Sequence, residues 1–313
     1  MKAIRCKAWV LYHVVATFIV GALVFRFRSP DRTGPANYWN TGSRSRSTSA
    51  DKPLIDVILF DSELDMLHYR MKLHEDFVKE FVVVESGMTF SGKPKRLLAH
   101  ENLTESIGGR PYTVTLLNVS LDASSGSWDR EHAVRAYVVD WLANRPNEVV
   151  LVSDVDELID PIAVRRIDLN ALNCVRPKLR FYYYCLRCSL GYWSKQSLFR
   201  TDGEWFTRVS RAERYEDIRG QCTESRELMG WHVSYAFNTT RIINKMSSFS
   251  HHEDSFVTNV LRNPNRERMI EDKVRKCEDV YGRPEVVHVP LTDNRTPKVE
   301  GMPTNEHCVT LTV

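Results

Sequence analysis

Asp154-Val155-Asp156-Glu157 follows directly on the apolar run Glu148-Val-Val-Leu-Val152. Two carboxylates two residues apart at the end of a strand direct oxygens at one hard divalent cation. In an open parallel sheet, ligands bind outside the carboxyl ends of the strands. Mn²⁺ or Mg²⁺ suits all-oxygen ligation and keeps water or phosphate in its shell. As a Lewis acid it stabilises the charge that grows when a diphosphate departs. The bare spacing says little, because with 19 Asp in 313 residues roughly one Asp-x-Asp arises by chance. Its context carries the weight: an apolar run immediately before it and a third acid, Glu157, beside it. The bland alternative is a solvated turn in which one Asp caps the next helix.

Other residues suited to such a site lie elsewhere in the chain. His232 follows Gly230-Trp231 in a strand-like segment, where a neutral imidazole would complete a two-carboxylate cation site. The plain alternative is a core histidine satisfied by backbone. His251 and His252, ahead of Glu253-Asp254, compete for that role. Arg70, Arg130 and Arg135 carry guanidinium forks that bind phosphate oxygens bidentately, although Arg70 equally suits an ion pair with Glu63 or a neighbouring acid. Glu85, at the end of a strand-like run, is placed to accept a hydrogen bond from ribose or uracil, or else to cap a helix or pair with an arginine. Trp193, Trp205 and Trp231 offer faces to a sugar ring, although tryptophan more often fills a core.

Alternating strands and helices must position these groups. Leu54–Phe60 is a continuous apolar run, the mark of a strand covered on both faces. Asp61–Glu80 predicts a helix capped by Asp61 or Ser62, and Phe81–Val84 the next strand, ending at Glu85-Ser86. Tyr112–Leu117 is a third strand. Arg130–Asn144 is helical, with Ala133, Val134, Tyr137, Val138, Trp141 and Leu142 as its apolar stripe. Glu148–Val152 is the fourth strand, and Asp160-Pro161 opens a helix or turn. This order predicts an α/β layer architecture around a mainly parallel sheet. After Leu179 the texture changes to aromatic strand-like pieces, which suit antiparallel additions and an acceptor-binding surface. The globular body is expected over 53–290, with little order in the Pro/Thr/Asn-rich tail 291–313.

Balanced charge (43 basic, 40 acidic, net +3) excludes the concentrated basic footprint of a nucleic-acid binder. A mean hydropathy of −0.35 excludes a multi-span membrane protein, and 10% aromatic content excludes disorder throughout. One segment, 9–25, is long and apolar and is fenced by Lys2, Arg5 and Lys7 before it and Arg26 and Arg28 after it. It is read as an uncleaved signal anchor, with residues 1–8 cytosolic and the body lumenal. Residues 26–52, rich in Ser, Arg, Thr and Gly, form a flexible stem. Four Asn-x-Ser/Thr sequons, at Asn102, Asn118, Asn238 and Asn294, agree with a lumenal body. So do six cysteines after the anchor, whose fifteen possible pairings stay open. Cys185-Leu-Arg-Cys188 lacks a second pair at zinc-ligand spacing.

Phe60-Asp-Ser-Glu63-Leu64-Asp65-Met-Leu67-His-Tyr-Arg70 resembles the opening motif of glycosyltransferase family 17, the bisecting β-1,4-mannosyl-glycoprotein 4-β-N-acetylglucosaminyltransferases. Four further blocks match in order. They are Val84-Glu85-Ser86 with Thr89-Phe90 and Gly92-Lys93-Pro94; Trp128-Asp-Arg130-Glu131 with Arg135; Asp154-Val-Asp156-Glu157-Leu158; and Gly230-Trp231-His232-Val-Ser234-Tyr-Ala-Phe237. Together they span Leu54 to about Val260. The resemblance implies a GT-A type, Rossmann-like domain with UDP-GlcNAc as donor, a glycan or glycoprotein acceptor, Mn²⁺ (or Mg²⁺) dependence and inversion at the anomeric carbon. It implies metal and diphosphate roles for Asp154 and Asp156, with His232 as a late ligand and Glu85, Arg70 and Arg130 around the donor. A type II Golgi membrane enzyme follows from the same likeness and the anchor. An inverting transfer needs a base for the acceptor hydroxyl; the candidates are Glu253, which leads, Asp254, Asp217 and Glu213. The motif here has Ser153 where the animal enzymes carry an extra acid, and those enzymes are longer. The other readings are a different donor or acceptor on the same fold, or a non-catalytic, membrane-anchored glycan-binding protein.

Overall fold

The computed structural model describes residues 53–103, 112–202, 206–207, 215–283, 297 and 300–308. The expected anchor and stem, Trp205, Glu213 and Asn294 lie outside these residues. Among the described residues no helix is long and apolar enough to cross a membrane.

Strands β1 (Leu54–Leu59), β2 (Val78–Glu85), β3 (Thr113–Asn118) and β4 (Val149–Asp154) run parallel in the spatial order β3-β2-β1-β4. Helices α1 (Leu64–His74), α2 (Leu98–Leu103) and α3 (Ser127–Ala143) connect them. Side chains alternate across a strand, so β1 feeds two cores at once: Leu54 and Ile58 join one, Ile55, Val57 and Leu59 the other. Helix α1 covers the first face with Met66, Leu67 and Met71, and α3 covers the second with Val134, Val138, Val139 and Leu142. The stripe expected on α3 is narrower than its apolar residues: Ala133 is exposed and Tyr137 stands in solvent. Helix α1 is also shorter than its sequence pattern, because Phe77 and Val78 belong to the turn and strand that follow. Its N-cap is Glu63, which makes no capping side-chain bond, rather than Asp61 or Ser62.

Among the described residues, the second half completes one mixed sheet of nine strands. Strand β8 (Ser197–Arg200) lies antiparallel between β4 and β6 (Cys174–Tyr183), and β7 (Ser189–Trp193) pairs antiparallel with β6. Strand β9 (Thr223–Ser234) runs parallel to β6, the one departure from the antiparallel additions expected here, and β5 (Glu157–Ile159) pairs antiparallel with β9. Helices α4 (Pro161–Val164) and α5 (Tyr215–Gln221) flank this region. Asp160 caps α4 by accepting from the Ile162 N–H at 2.8 Å.

A third core joins Tyr183, Tyr184, Tyr235 and Phe237 to α6 (Thr239–Ser248), α7 (Ser255–Arg262) and α8 (Arg266–Lys276). Three disulfides, Cys174–Cys222, Cys185–Cys308 and Cys188–Cys277, tie the second half together. The two cysteines of the Cys-x-x-Cys pair therefore bond to distant partners, not to each other. Residues 300–308, inside the stretch expected to have little order, are held by one of those bridges. Asn305 adds bonds to the Phe237 carbonyl at 2.6 Å and the Tyr184 carbonyl at 3.0 Å. The sequon residues Asn102, Asn118 and Asn238 are all exposed.

Candidate active site

Asp154 closes β4 and Glu157 opens β5, so Asp154-Val-Asp-Glu157 is a tight turn at the carboxyl end of the parallel strands. Strand pairing sets Glu157 opposite His232, and the Val233 N–H donates to the Asp156 carbonyl at 2.9 Å. Gly230 makes that approach possible: a Cβ there would lie 2.1 Å from the Leu158 carbonyl oxygen.

Behind the turn sits a closed set of charges. Side-chain alternation aims Asp56 of β1 at α1, where it is wholly buried. Its carboxylate accepts from Arg70 Nε at 3.0 Å and Nη2 at 2.6 Å, and pairs with His74 Nδ1 at 2.8 Å. Arg70 and His74 stand four apart and so share one face of α1. Arg70 also donates to the carbonyls of Asp154 (2.6 Å) and Glu157 (3.0 Å) and to Ser153 Oγ (2.6 Å). All five guanidinium donors are thus used. The Ile159 N–H donates to His74 Nε2 at 3.1 Å, so His74 is neutral with its proton on Nδ1. Burial and the Arg70 charge hold its pKa below the ordinary value, against the pull of Asp56. Burial alone would raise Asp56, but Arg70 and His74 outweigh it and bring the carboxyl down to about 2.

The front of the turn is arranged differently. The Asp154 side chain is 46% exposed and meets Arg135 Nη2 at 3.3 Å. Arg135 also holds Glu131 at 3.1 Å, and Glu131 accepts from the Ser250 hydroxyl. Asp156 is nearly buried between two partners: Oδ2 lies 3.0 Å from Lys245 Nζ, and Oδ1 3.4 Å from His232 Nε2. Lys245, on α6, also meets Glu63 Oε1 at 2.8 Å. Burial would raise the Asp156 pKa, but Lys245 and His232 overcome that and keep it ionised. Glu157 accepts from the Asp154 N–H at 3.0 Å and from Trp193 Nε1. Burial, then the Asp154 charge, pushes its pKa up. His232 stacks on Phe181 at 4.8 Å, and its buried Nδ1 has no hydrogen-bond partner among the described residues.

Of the expected site residues, Asp156 and His232 meet at 3.4 Å, with Asp154 and Glu157 on the same turn. Arg70 and Arg130 are spent on the protein itself. Arg130 donates to the carbonyls of Phe90 (2.7 Å), Ala123 (3.3 Å) and Ser125. Glu85 is buried and capped onto α2, accepting from the Ala99 N–H at 3.0 Å, and it pairs with Lys95 at 3.2 Å. Glu253 is 81% exposed, 3.7 Å from His252. Asp254 accepts from His251 Nδ1 at 2.6 Å; the Asp217 side chain is outside the described atoms. Trp231 is buried and Trp193 serves Glu157, whereas Trp128 is 41% exposed and meets His251 edge-on at 4.5 Å. Lys245, which joins Glu63 to Asp156, is not marked by the sequence pattern. No local motif marks a lysine that reaches the turn from 89 residues away.

The donor set suits a hard divalent cation. Asp156 Oδ1 and His232 Nε2 lie 3.4 Å apart, as two ligands of one ion do, while the exposed Asp154 carboxylate, on the same turn, is not gathered with them within 4.8 Å. An ion that retains water or phosphate oxygens needs no larger protein cage. Among the described residues, the only three His/Cys/Asp/Glu donors gathered within 4.8 Å are Cys185, Cys188 and Cys308, which are disulfide sulfurs.

In an open α/β sheet the carboxyl ends of the parallel strands, where this turn lies, are where ligands bind. The sequence model of glycosyltransferase family 17 matches residues 39–287, and the chain belongs to that family; it is a glycosyltransferase. No curated protein sequence matches it. Among solved structures, the crystal structure of 4-diphosphocytidyl-2C-methyl-D-erythritol synthase shares 13% identity over 55% of this chain and 87% of that one, with a TM-score of 0.31. That likeness is too slight to carry an argument.

Proposed function

We propose that this glycosyltransferase has a GT-A type domain and transfers N-acetylglucosamine, with inversion, from UDP-GlcNAc to a mannose of an N-glycan in β-1,4 linkage. The observation that carries the reading is the Asp154–Asp156 turn, with Asp156 Oδ1 and His232 Nε2 3.4 Å apart at the carboxyl end of the sheet. Asp154, Asp156 and His232 hold Mn²⁺ or Mg²⁺, which when bound supplies Lewis-acid neutralisation of the departing diphosphate. Arg135 steadies Asp154, and Arg70 fixes the backbone of the turn from behind.

Asp254 serves the acceptor side through His251. Its carboxylate holds the Nδ1 proton, which leaves Nε2 to take the proton of the acceptor hydroxyl. The adjacent Ser250 ties this segment to Asp154 through Glu131 and Arg135. Trp128 presents its exposed face beside His251 as a platform for the acceptor ring. A type II Golgi enzyme with a lumenal body accords with the basic-fenced apolar run at 9–25 and with three disulfides, which persist in oxidising compartments.

UDP release from a panel of UDP-sugars, with Mn²⁺ and with EDTA and with N-glycans as acceptors, tests this reading. Release from UDP-GlcNAc alone, lost with EDTA, is expected. Release from another sugar would move the donor, and a folded protein inert toward every donor would favour a glycan-binding protein.

A further inference from the structure

Lys245 stands in the site without a part in the reading above. Its ammonium bridges Glu63 Oε1 at 2.8 Å and Asp156 Oδ2 at 3.0 Å. Two carboxylates share one cation there, and Asp156 is the buried member of the metal-binding turn. The ammonium also sits over the rings of Phe237 and Tyr235, 5.7 Å from each centroid, and the side chain keeps 22% exposure. One turn earlier on the same face of α6, Arg241 holds Asp65 at 2.7 Å and 2.8 Å. The helix is thereby fastened beside the start of α1, while Lys245 remains a point charge on a four-carbon tether. A tethered ammonium can change partners within reach without moving the helix.

We propose that Lys245 is the resident counter-ion of the turn: it neutralises Asp156 and Glu63 before the donor arrives, then transfers to the oxygens of the nucleotide diphosphate. The inference rests on the proposed metal and donor site. It has a consequence that a purely structural ion pair does not. A divalent cation placed on Asp156 meets a like charge next to it, so Lys245 opposes metal binding in the absence of nucleotide. A diphosphate carries the negative charge that relieves that repulsion. Lys245 therefore weakens the binding of metal alone and strengthens the binding of nucleotide with metal, which makes the two ligands cooperative. By linkage each must raise the affinity of the other by the same factor.

Calorimetry on the purified full-length chain, with Mn²⁺ alone, UDP alone and the two together, tests this. Lys245→Met is expected to bind Mn²⁺ alone about tenfold tighter and UDP with Mn²⁺ about tenfold weaker, each the scale of one close charge contact. Because that variant leaves Glu63 buried without its partner, Lys245→Met with Glu63→Gln is measured alongside and should show the same opposite shifts. Mn²⁺ affinity unchanged or weaker in both variants, while the wild type still binds UDP in a Mn²⁺-dependent way, would overturn the role of Lys245 and leave the donor site standing. A folded wild type that binds neither Mn²⁺ nor UDP would overturn both.

Discussion

The two sides of the Asp154–Glu157 turn are built from the same kinds of residue and treat them in opposite ways. Behind it, Asp56, Arg70 and His74 are wholly buried and every donor and acceptor of the arginine and imidazole is matched. In front of it, Asp154 is half exposed, Asp156 and Glu63 share one ammonium, and His232 keeps an unmatched ring nitrogen. A saturated cluster has nothing left to offer a ligand and serves to hold geometry. An incompletely matched cluster open to solvent keeps capacity for charge that arrives later. The difference assigns roles that residue type alone does not: arginine is support at position 70 and faces the site at position 135.

That contrast can be broken most severely from behind. Arg70→Met strands the Asp56 carboxylate in the core and unpins the turn. It should cost about 3–5 kcal/mol, the range for removing one partner of a buried pair, read as a lower urea midpoint. A second, smaller effect follows pH. Folded His74 refuses a proton that the unfolded chain accepts near 6.5, so the unfolded state binds more protons and stability falls as pH drops below that value. Asp56, held to about 2 when folded, adds a loss of the same sign below about pH 4. His74→Gln should flatten the slope of unfolding free energy between pH 7 and pH 5. The smallest effect on the fold belongs to the front rim. Trp128→Ala should change stability by no more than about 0.5 kcal/mol, as exposed substitutions do. It should still raise the acceptor KM about tenfold while leaving the UDP-sugar KM unchanged.

Much of the parallel half was legible because both of its signals are local. Continuous apolar runs mark strands covered on both faces, and the acidic pair ends one of them. The parallel β6–β9 pairing was not legible, since it depends on chain segments some 50 residues apart that look alike in pattern. The site followed the same division. Motif context points to Asp154, Asp156 and His232, because each lies at a strand end or on the strand beside it. The residue types of Arg70 and Glu85 fit a ligand contact as well as an ion pair or a helix cap, and only packing shows Arg70 facing Asp56 and Glu85 capping α2. Lys245 left no trace in the motif, as it reaches Asp156 only once α6 has docked beside α1.

The central claim is that the front of the turn binds and the back supports. Asp156→Ala tests it most directly, with UDP binding in the presence of Mn²⁺ and urea unfolding followed on the same sample. Lys245 keeps Glu63 as partner in that variant, so the unfolding midpoint should stay near that of the wild type while Mn²⁺-dependent UDP binding disappears. Retained binding at a wild-type midpoint would contradict the assignment of the metal and donor site to this turn.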